Sequence, residues 1–282
     1  LYSSTRSSSG WTALKRAAGL EAREAGPDEP YLGKRLSALL DVNDGERVAL
    51  LRRIAMRDPL LRTSTDLRTL RQLQMLAYQL YGQRSDLMDG DGFQARLDAS
   101  PLMREELGEL ADWIDLRADL ELEPLPGVPQ DWPLLLHGTY SRTEILSATG
   151  FWSPQARPPM FEGLLNFKAL KLQLLFVTLD KKEGFHERIA YHDYAISPEL
   201  FHWQSQNNAG PDTASGRIYT QSATNGWRFQ LFVRETPDHP FVALGPVTLD
   251  GEPTGAKPMS MVWKLERHVP MAMFRRFSVL RG

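Results

Sequence analysis

The spacing of apolar residues divides the chain into two kinds of sequence. From Trp11 to about Leu120, apolar residues recur at intervals of three and four, as in helices that bury one face. The clearest case follows Ser64-Thr65-Asp66: Leu67, Leu70, Leu73, Leu76 and Leu80 form one stripe, and Gly82 follows. A polar N-cap, an apolar stripe and a terminal glycine predict a helix. Weaker patterns predict helices over 12–25, 33–40, 45–56 and 101–113. The stretches 41–45 and 89–92 read as breaks between them. Asp89-Gly90-Asp91-Gly92 lacks the alternating ligands and closing glutamate of a calcium loop and reads as a turn.

Residues 122–133 carry four prolines, which stop helices and stiffen connections. They are expected to link two domains. Next, Leu134-Leu135-Leu136 reads as a short buried strand. Ser141 with Glu144 has the form of a capping box, predicting a helix over 142–149. The turn at Gly138 feeds that helix, so it is either a phosphate cradle or an ordinary capped turn. Beyond Gly163 the pattern turns to β. Strands are predicted over 170–179, 227–235, 241–249 and 260–267, with a turn at 180–184. Short strands with few helices predict a barrel or half-barrel. The expected fold class is α+β: a helical bundle over 1–121, with residues 1–10 frayed, a linker over 122–133, and a mainly β domain over 134–282. The aromatic and basic tail, Phe274-Arg275-Arg276-Phe277, reads as a solvated terminus.

One stretch of the β-rich half stands apart. Tyr191 to Gln206 interleaves rings, amides and a carboxylate. If 201–206 is extended, Phe201, Trp203 and Ser205 share one face and His202, Gln204 and Gln206 the other. The first face reads as core and the second as a polar surface. A polar loop, 207–216, follows it. Rings and amides beside such a loop suit either recognition of a flat polar group, such as a base, or a core strand whose polar tips find ordinary partners.

Composition narrows the function. A hydrophobic content of 42% and a charged content of 24% are those of a globular protein, and 282 residues suggest two domains or one large one. No apolar run approaches the roughly 20 residues of a membrane span. The start has neither an apolar leader nor a methionine, so the chain is expected to be a fragment of a longer cytoplasmic protein. The absence of cysteine excludes disulfides, thiolate chemistry and cysteine-based zinc sites. The net charge of −2 is not that of a globally basic nucleic-acid binder. Residues 1–130 balance at −4 and residues 131–282 at +2, and all six histidines lie in the second part.

Catalytic patterns are missing. The sequence has no Gly-x-Ser-x-Gly elbow, no His-Glu-x-x-His pair and no phosphate-binding Walker loop. His186, His192 and Asp193 are close in sequence but match no known metal spacing. Asp180-Lys181-Lys182 falls in a turn and fits a nuclease poorly. The chain is expected to be a binding region rather than an enzyme, with no cofactor and no metal.

Five blocks in order carry a resemblance: 137–146 (His-Gly-Thr-Tyr-Ser-Arg-Thr-Glu-Ile-Leu), 193–206, 231–235, 244–247 and 258–265. Together they resemble the C-terminal domain, long of unknown function, of bacterial superfamily-2 helicases. Some of those helicases also carry a phospholipase-D-type nuclease and act as type IV, modification-dependent restriction enzymes in defence. The helical half is more loosely similar to the segment that precedes this domain. The resemblance implies a reader of double-stranded DNA bearing 5-methyl- or 5-hydroxymethylcytosine. By analogy its fold would be a barrel of the PUA or SET-and-RING-associated kind that flips the base. The helicase and nuclease domains of the parent chain would be its partners, with no membrane involved.

A flipped cytosine needs rings on its faces and an acceptor for its amino group. Asp193 is the candidate acceptor, Tyr191, Tyr194 and Trp203 the candidate stackers, and His202, Gln204 and Gln206 the candidate edge readers. Ser141, Arg142 and Arg217 are candidates for the DNA backbone. The other class of function open to this sequence is a protein-interaction or self-association module of a helicase.

Overall fold

A computed structural model describes residues 10–82, 90–117, 121–160, 163–179 and 193–278. By its contacts the chain forms two compact units. The first comprises Leu1–Pro124 with Val128–Pro159, and the second Leu125–Gly127 with Met160–Gly282.

The first unit is helical: α1 (Trp11–Ala17), α2 (Glu29–Arg35), α3 (Gly45–Ala55), α4 (Leu67–Tyr81), α5 (Gly90–Asp98), α6 (Pro101–Asp115) and α7 (Arg142–Ala148), with a short strand β1 (Thr139–Tyr140) before α7. The strongest predicted helix forms as its sequence requires. The Asp66 side chain accepts the Thr69 N–H at 2.8 Å, and Gly82 ends α4 at φ 57°. Of its predicted stripe, Leu73, Leu76 and Leu80 pack with Leu51, Ile54, Leu107 and Leu110 in one core, whereas Leu67, in the first turn, is exposed and Leu70 lies outside that core. Three expectations change. Helix α1 stops at Ala17, before Gly19 at φ 72°, instead of running to residue 25. The stretch read as a break at 89–92 contributes Gly90 onward to α5. Leu134–Leu136 are buried but form no strand, making a single bridge from Leu135 to Pro124. Pro124, Pro126 and Pro133 supply no N–H, so a longer ladder is not available there.

The second unit is a mixed sheet of β2 (Leu164–Phe167), β3 (Leu172–Thr178), β4 (Tyr194–Ala195), β5 (Leu200–Gln204), β6 (Arg228–Arg234), β7 (Phe241–Thr254) and β8 (Ser260–Leu265). Helices α8 (Ala214–Thr220), α9 (Ser222–Asn225) and α10 (Met271–Ser278) join it. The order is β2-β3-β6-β7-β8-β5-β4, with β3 and β6 parallel and the other pairs along this path antiparallel. This path has two ends, β2 and β4, so the expected barrel is not closed. On one sheet face Phe201, Trp203, Phe229, Leu231, Val247, Met261 and Trp263 form a core with Tyr219 of α8, while Leu174, Phe176 and Phe232 are buried on the other face. Trp263 sits at the centre of that core, with ring centroids 4.8 Å from Phe229 and 6.2 Å from both Trp203 and Tyr219. The tail read as a solvated terminus is α10, and its Phe277 is buried.

The division between units falls near residue 160, whereas the proline-rich stretch was expected to separate them. Only Leu125–Gly127 of that stretch belong to the second unit. There the Pro126 carbonyl accepts from Gln230 Nε2 at 2.7 Å and the Gly127 carbonyl from Arg228 at 2.9 Å. Residues 128–159 fold with the helices because side chains near the start of α3 hold them. Asn43 Oδ1 accepts the Thr139 N–H at 2.9 Å, and the Arg47 guanidinium donates to the Thr139 carbonyl at 2.7 Å.

Candidate functional site

Strand β5 shows the alternation that its sequence predicts. Phe201 and Trp203 are buried, while Leu200, His202 and Gln204 are half-buried on the opposite face. Register carries this polar face across the sheet, because residues paired in antiparallel strands point to the same side. His202 pairs with Tyr194 on β4 and with Val262 on β8. Gln204 pairs with Ser260, and Leu200 with Lys264. Ser260 and Lys264 thus join the site although their own stretch of sequence shows no sign of it; only the pairing of β5 with β8 brings them there.

At the β4 edge of this face the Tyr194 and His202 rings stack, with centroids 5.0 Å apart and planes 16° from parallel. Asp193 Oδ1 accepts the Gln204 backbone N–H at 2.9 Å, and the Gln204 amide donates to Ser260 Oγ at 3.2 Å. The Gln204 amide and the two rings therefore share one surface, and the Asp193 carboxylate is tied to the backbone of the same strand. The Gln206 carbonyl accepts the Ala209 N–H at 2.9 Å and turns the chain into the following loop.

Trp203 is placed differently from the stacking role considered for it. It is 5% exposed and lies edge-on to Tyr219 at 5.4 Å, so its ring belongs to the core. Tyr191, His186, His192 and the predicted turn at 180–184 lie outside the described residues. The polar loop is shorter than expected, because Thr213 caps α8 by accepting the Gly216 N–H at 3.0 Å. Arg217 is exposed on that helix and donates to the Asp212 carbonyl at 2.8 Å.

Ser141 and Arg142 belong to the first unit. The capping box is complete: Ser141 Oγ accepts the Glu144 N–H at 3.2 Å, and Glu144 Oε2 accepts the Ser141 N–H at 2.8 Å. The Ser141 hydroxyl therefore serves the fold. Burial lowers the pKa of Arg142 from its ordinary value. Gly138 is needed in the turn before them, since a Cβ there would come within 2.5 Å of the Tyr140 hydroxyl.

Among the described residues no group of three or more histidines, aspartates and glutamates is placed to hold a metal ion, and no helix is long and apolar enough to cross a membrane. No curated protein matches the chain. Residues 134–277, about half of its length, match a family described as a domain of unknown function, DUF3427. The match begins before β1 and ends in α10, taking in both the capped turn and the Tyr194–His202 face, and the chain belongs to that family.

Proposed function

We propose that this chain is the C-terminal part of a modification-dependent restriction helicase, and that its sheet binds double-stranded DNA and reads modified cytosine. The observation that carries this reading is the Tyr194–His202 ring pair, set at the β4 edge of the sheet beside Asp193 and Gln204. Stacked rings give a flat surface for a base, and the neighbouring carboxylate and amide suit polar base edges. Arg217, exposed on α8, is available to a phosphate. In this reading the helical unit couples the reader to motor and nuclease domains elsewhere in the parent protein. Recognition of the base by flipping belongs to the same proposal.

The test is a titration of the whole chain against three matched duplexes bearing cytosine, 5-methylcytosine or 5-hydroxymethylcytosine at fixed salt. The whole chain is required because residues 128–159 fold with the helical unit. A preference of about tenfold, equivalent to about 1.4 kcal/mol, is expected for a modified duplex. Equal binding to all three would overturn the reading. The net charge of −2 favours a second reading, a protein-interaction module. That module would show no duplex binding and none of the steep salt dependence that phosphate contacts impose.

A further inference from the structure

A cleft of about 310 Å³ opens in the second unit where β6 leaves β7. The register explains it. Phe229 pairs with Val247 at the end of the β6–β7 ladder, while β7 runs on past it to Thr254. Beside Thr248 and Leu249, β6 therefore no longer pairs with β7. Trp227, Arg228, Gln230, Ser222, Thr248 and Glu266 line the space.

These groups form an ordered set. Trp227 is half-buried against the rim of the aromatic core, and its backbone N–H donates to Asn225 Oδ1 at 2.9 Å. The Arg228 guanidinium is anchored by the Gly127 carbonyl at 2.9 Å. Gln230 is only 1% exposed. Its Nε2 donates to Pro126, and its Oε1 is a buried acceptor with no hydrogen-bond donor among the described residues. Glu266 is exposed and places a carboxylate on the same cleft.

We infer that this cleft binds a nucleobase. An indole offers a stacking surface to any flat heterocycle. The Glu266 carboxylate suits an exocyclic amino group, while Arg228 and the Ser222 hydroxyl suit a ring carbonyl. That is the polarity of cytosine, whose amino group is read by carboxylates. One cation balanced by one anion suits a neutral ring better than a phosphate, which Glu266 would repel. The volume is at the small end of the roughly 300–1,000 Å³ of ligand sites, a size suited to one base with its sugar. By strand alternation Arg228 and Gln230 lie opposite the core residues Phe229 and Leu231, on the side that also carries Thr248, Lys264 and His202. The cleft therefore wraps the open edge of β6, with Trp227 on the core side and Arg228 and Gln230 on the side of the Tyr194–His202 pair. The inference deepens the proposed reading of DNA and rests on it for the source of the base.

The test is saturation-transfer NMR of free cytidine, with thymidine as its comparison, on the whole chain. Transfer to the cytidine H5 and H6 protons is expected, and weaker transfer to thymidine, which lacks the amino group. Trp227→Ala should weaken cytidine binding about tenfold, in line with the loss of one stacking partner. Glu266→Gln, at an exposed position, should weaken it several-fold at an unchanged melting temperature. If Trp227→Ala does not fold, Trp227→Phe with Glu266→Gln carries the comparison. No transfer at millimolar cytidine, or equal transfer in all variants, overturns the cleft. The duplex titration keeps the two ideas apart. Discrimination between duplexes that survives Glu266→Gln and Trp227→Phe unchanged would sink the cleft alone. Cytidine uptake without duplex discrimination would sink the DNA reading alone.

Discussion

Arg47 on α3 and Glu144 on α7 meet at 2.7 Å, guanidinium Nη1 to carboxylate Oε1, with both side chains buried. The same guanidinium donates to Asp44 Oδ2 at 2.5 Å and to the Thr139 carbonyl, and it lies 4.4 Å from the Tyr140 ring centroid. Burial opposes its charge, yet Asp44, Glu144 and Tyr140 hold its pKa above the ordinary arginine value. One side chain thus ties residues 139–144 to the start of α3.

Removing that side chain should leave buried carboxylates unpaired. Arg47→Ala is expected to destabilise the first unit by about 3–5 kcal/mol, the usual cost of breaking a buried pair. Arg47→Lys, which cannot reproduce the forked contacts, should recover only part of this. Urea denaturation of both variants checks the expectation, and a loss under about 1 kcal/mol for Arg47→Ala would contradict it.

Trp203 and His202 are neighbours in sequence and should separate cleanly in experiment. Trp203→Ala removes a core ring and should cost about 3–5 kcal/mol of stability. His202→Ala should leave melting nearly unchanged while weakening duplex binding. If Trp203→Ala melts like the parent protein, the ring is not core. If His202→Ala binds duplex normally, the ring pair is not the reading surface.

Gly216 should tolerate no side chain. A Cβ there would lie 1.8 Å from the Gly210 carbonyl oxygen, inside the turn that Thr213 caps. Gly216→Ala is expected to displace the start of α8 and lower the melting temperature, whereas Gly251→Ala on the β7 side should leave the α8 resonances in place. Amide chemical shifts of residues 210–220 make the comparison. Unchanged shifts there in Gly216→Ala would refute the clash.

His137 should give the first unit a pH dependence. Burial lowers its pKa, its Nε2 is buried with no hydrogen-bond partner among the described residues, and its backbone is left-handed at φ 62°. A histidine whose folded pKa lies below its unfolded value of about 6.5 costs nothing at high pH, where both states are neutral. As pH falls through the unfolded value, the unfolded chain takes up the proton more readily and stability declines. His137→Asn keeps a residue that accepts positive φ and should lose less stability than the parent between about pH 7.5 and about pH 5.5. Equal losses in the two proteins would remove His137 from the effect.

Much of the local structure follows from the sequence alone. Asp66 before a leucine stripe, Ser141 three residues before Glu144, and the alternation of Phe201, His202 and Trp203 state their outcomes in a few residues, because caps and strand faces are set by near neighbours. Helix α5 is less legible: its first turn is built of glycine and aspartate, which locally favour a break, and tertiary packing of Phe93 and Leu97 overrides that preference. What the tertiary structure alone decided is which distant residues share a surface. The sheet stays open because its strand path ends at β2 and β4, and no local pattern encodes that path. Ser260 and Lys264 join His202 through the register of β5 with β8. Glu266 comes near Trp227 through β7, and Arg47 reaches Glu144 across 97 positions of chain. Such pairings depend on strand order and packing, which are properties of the whole fold rather than of any stretch of sequence.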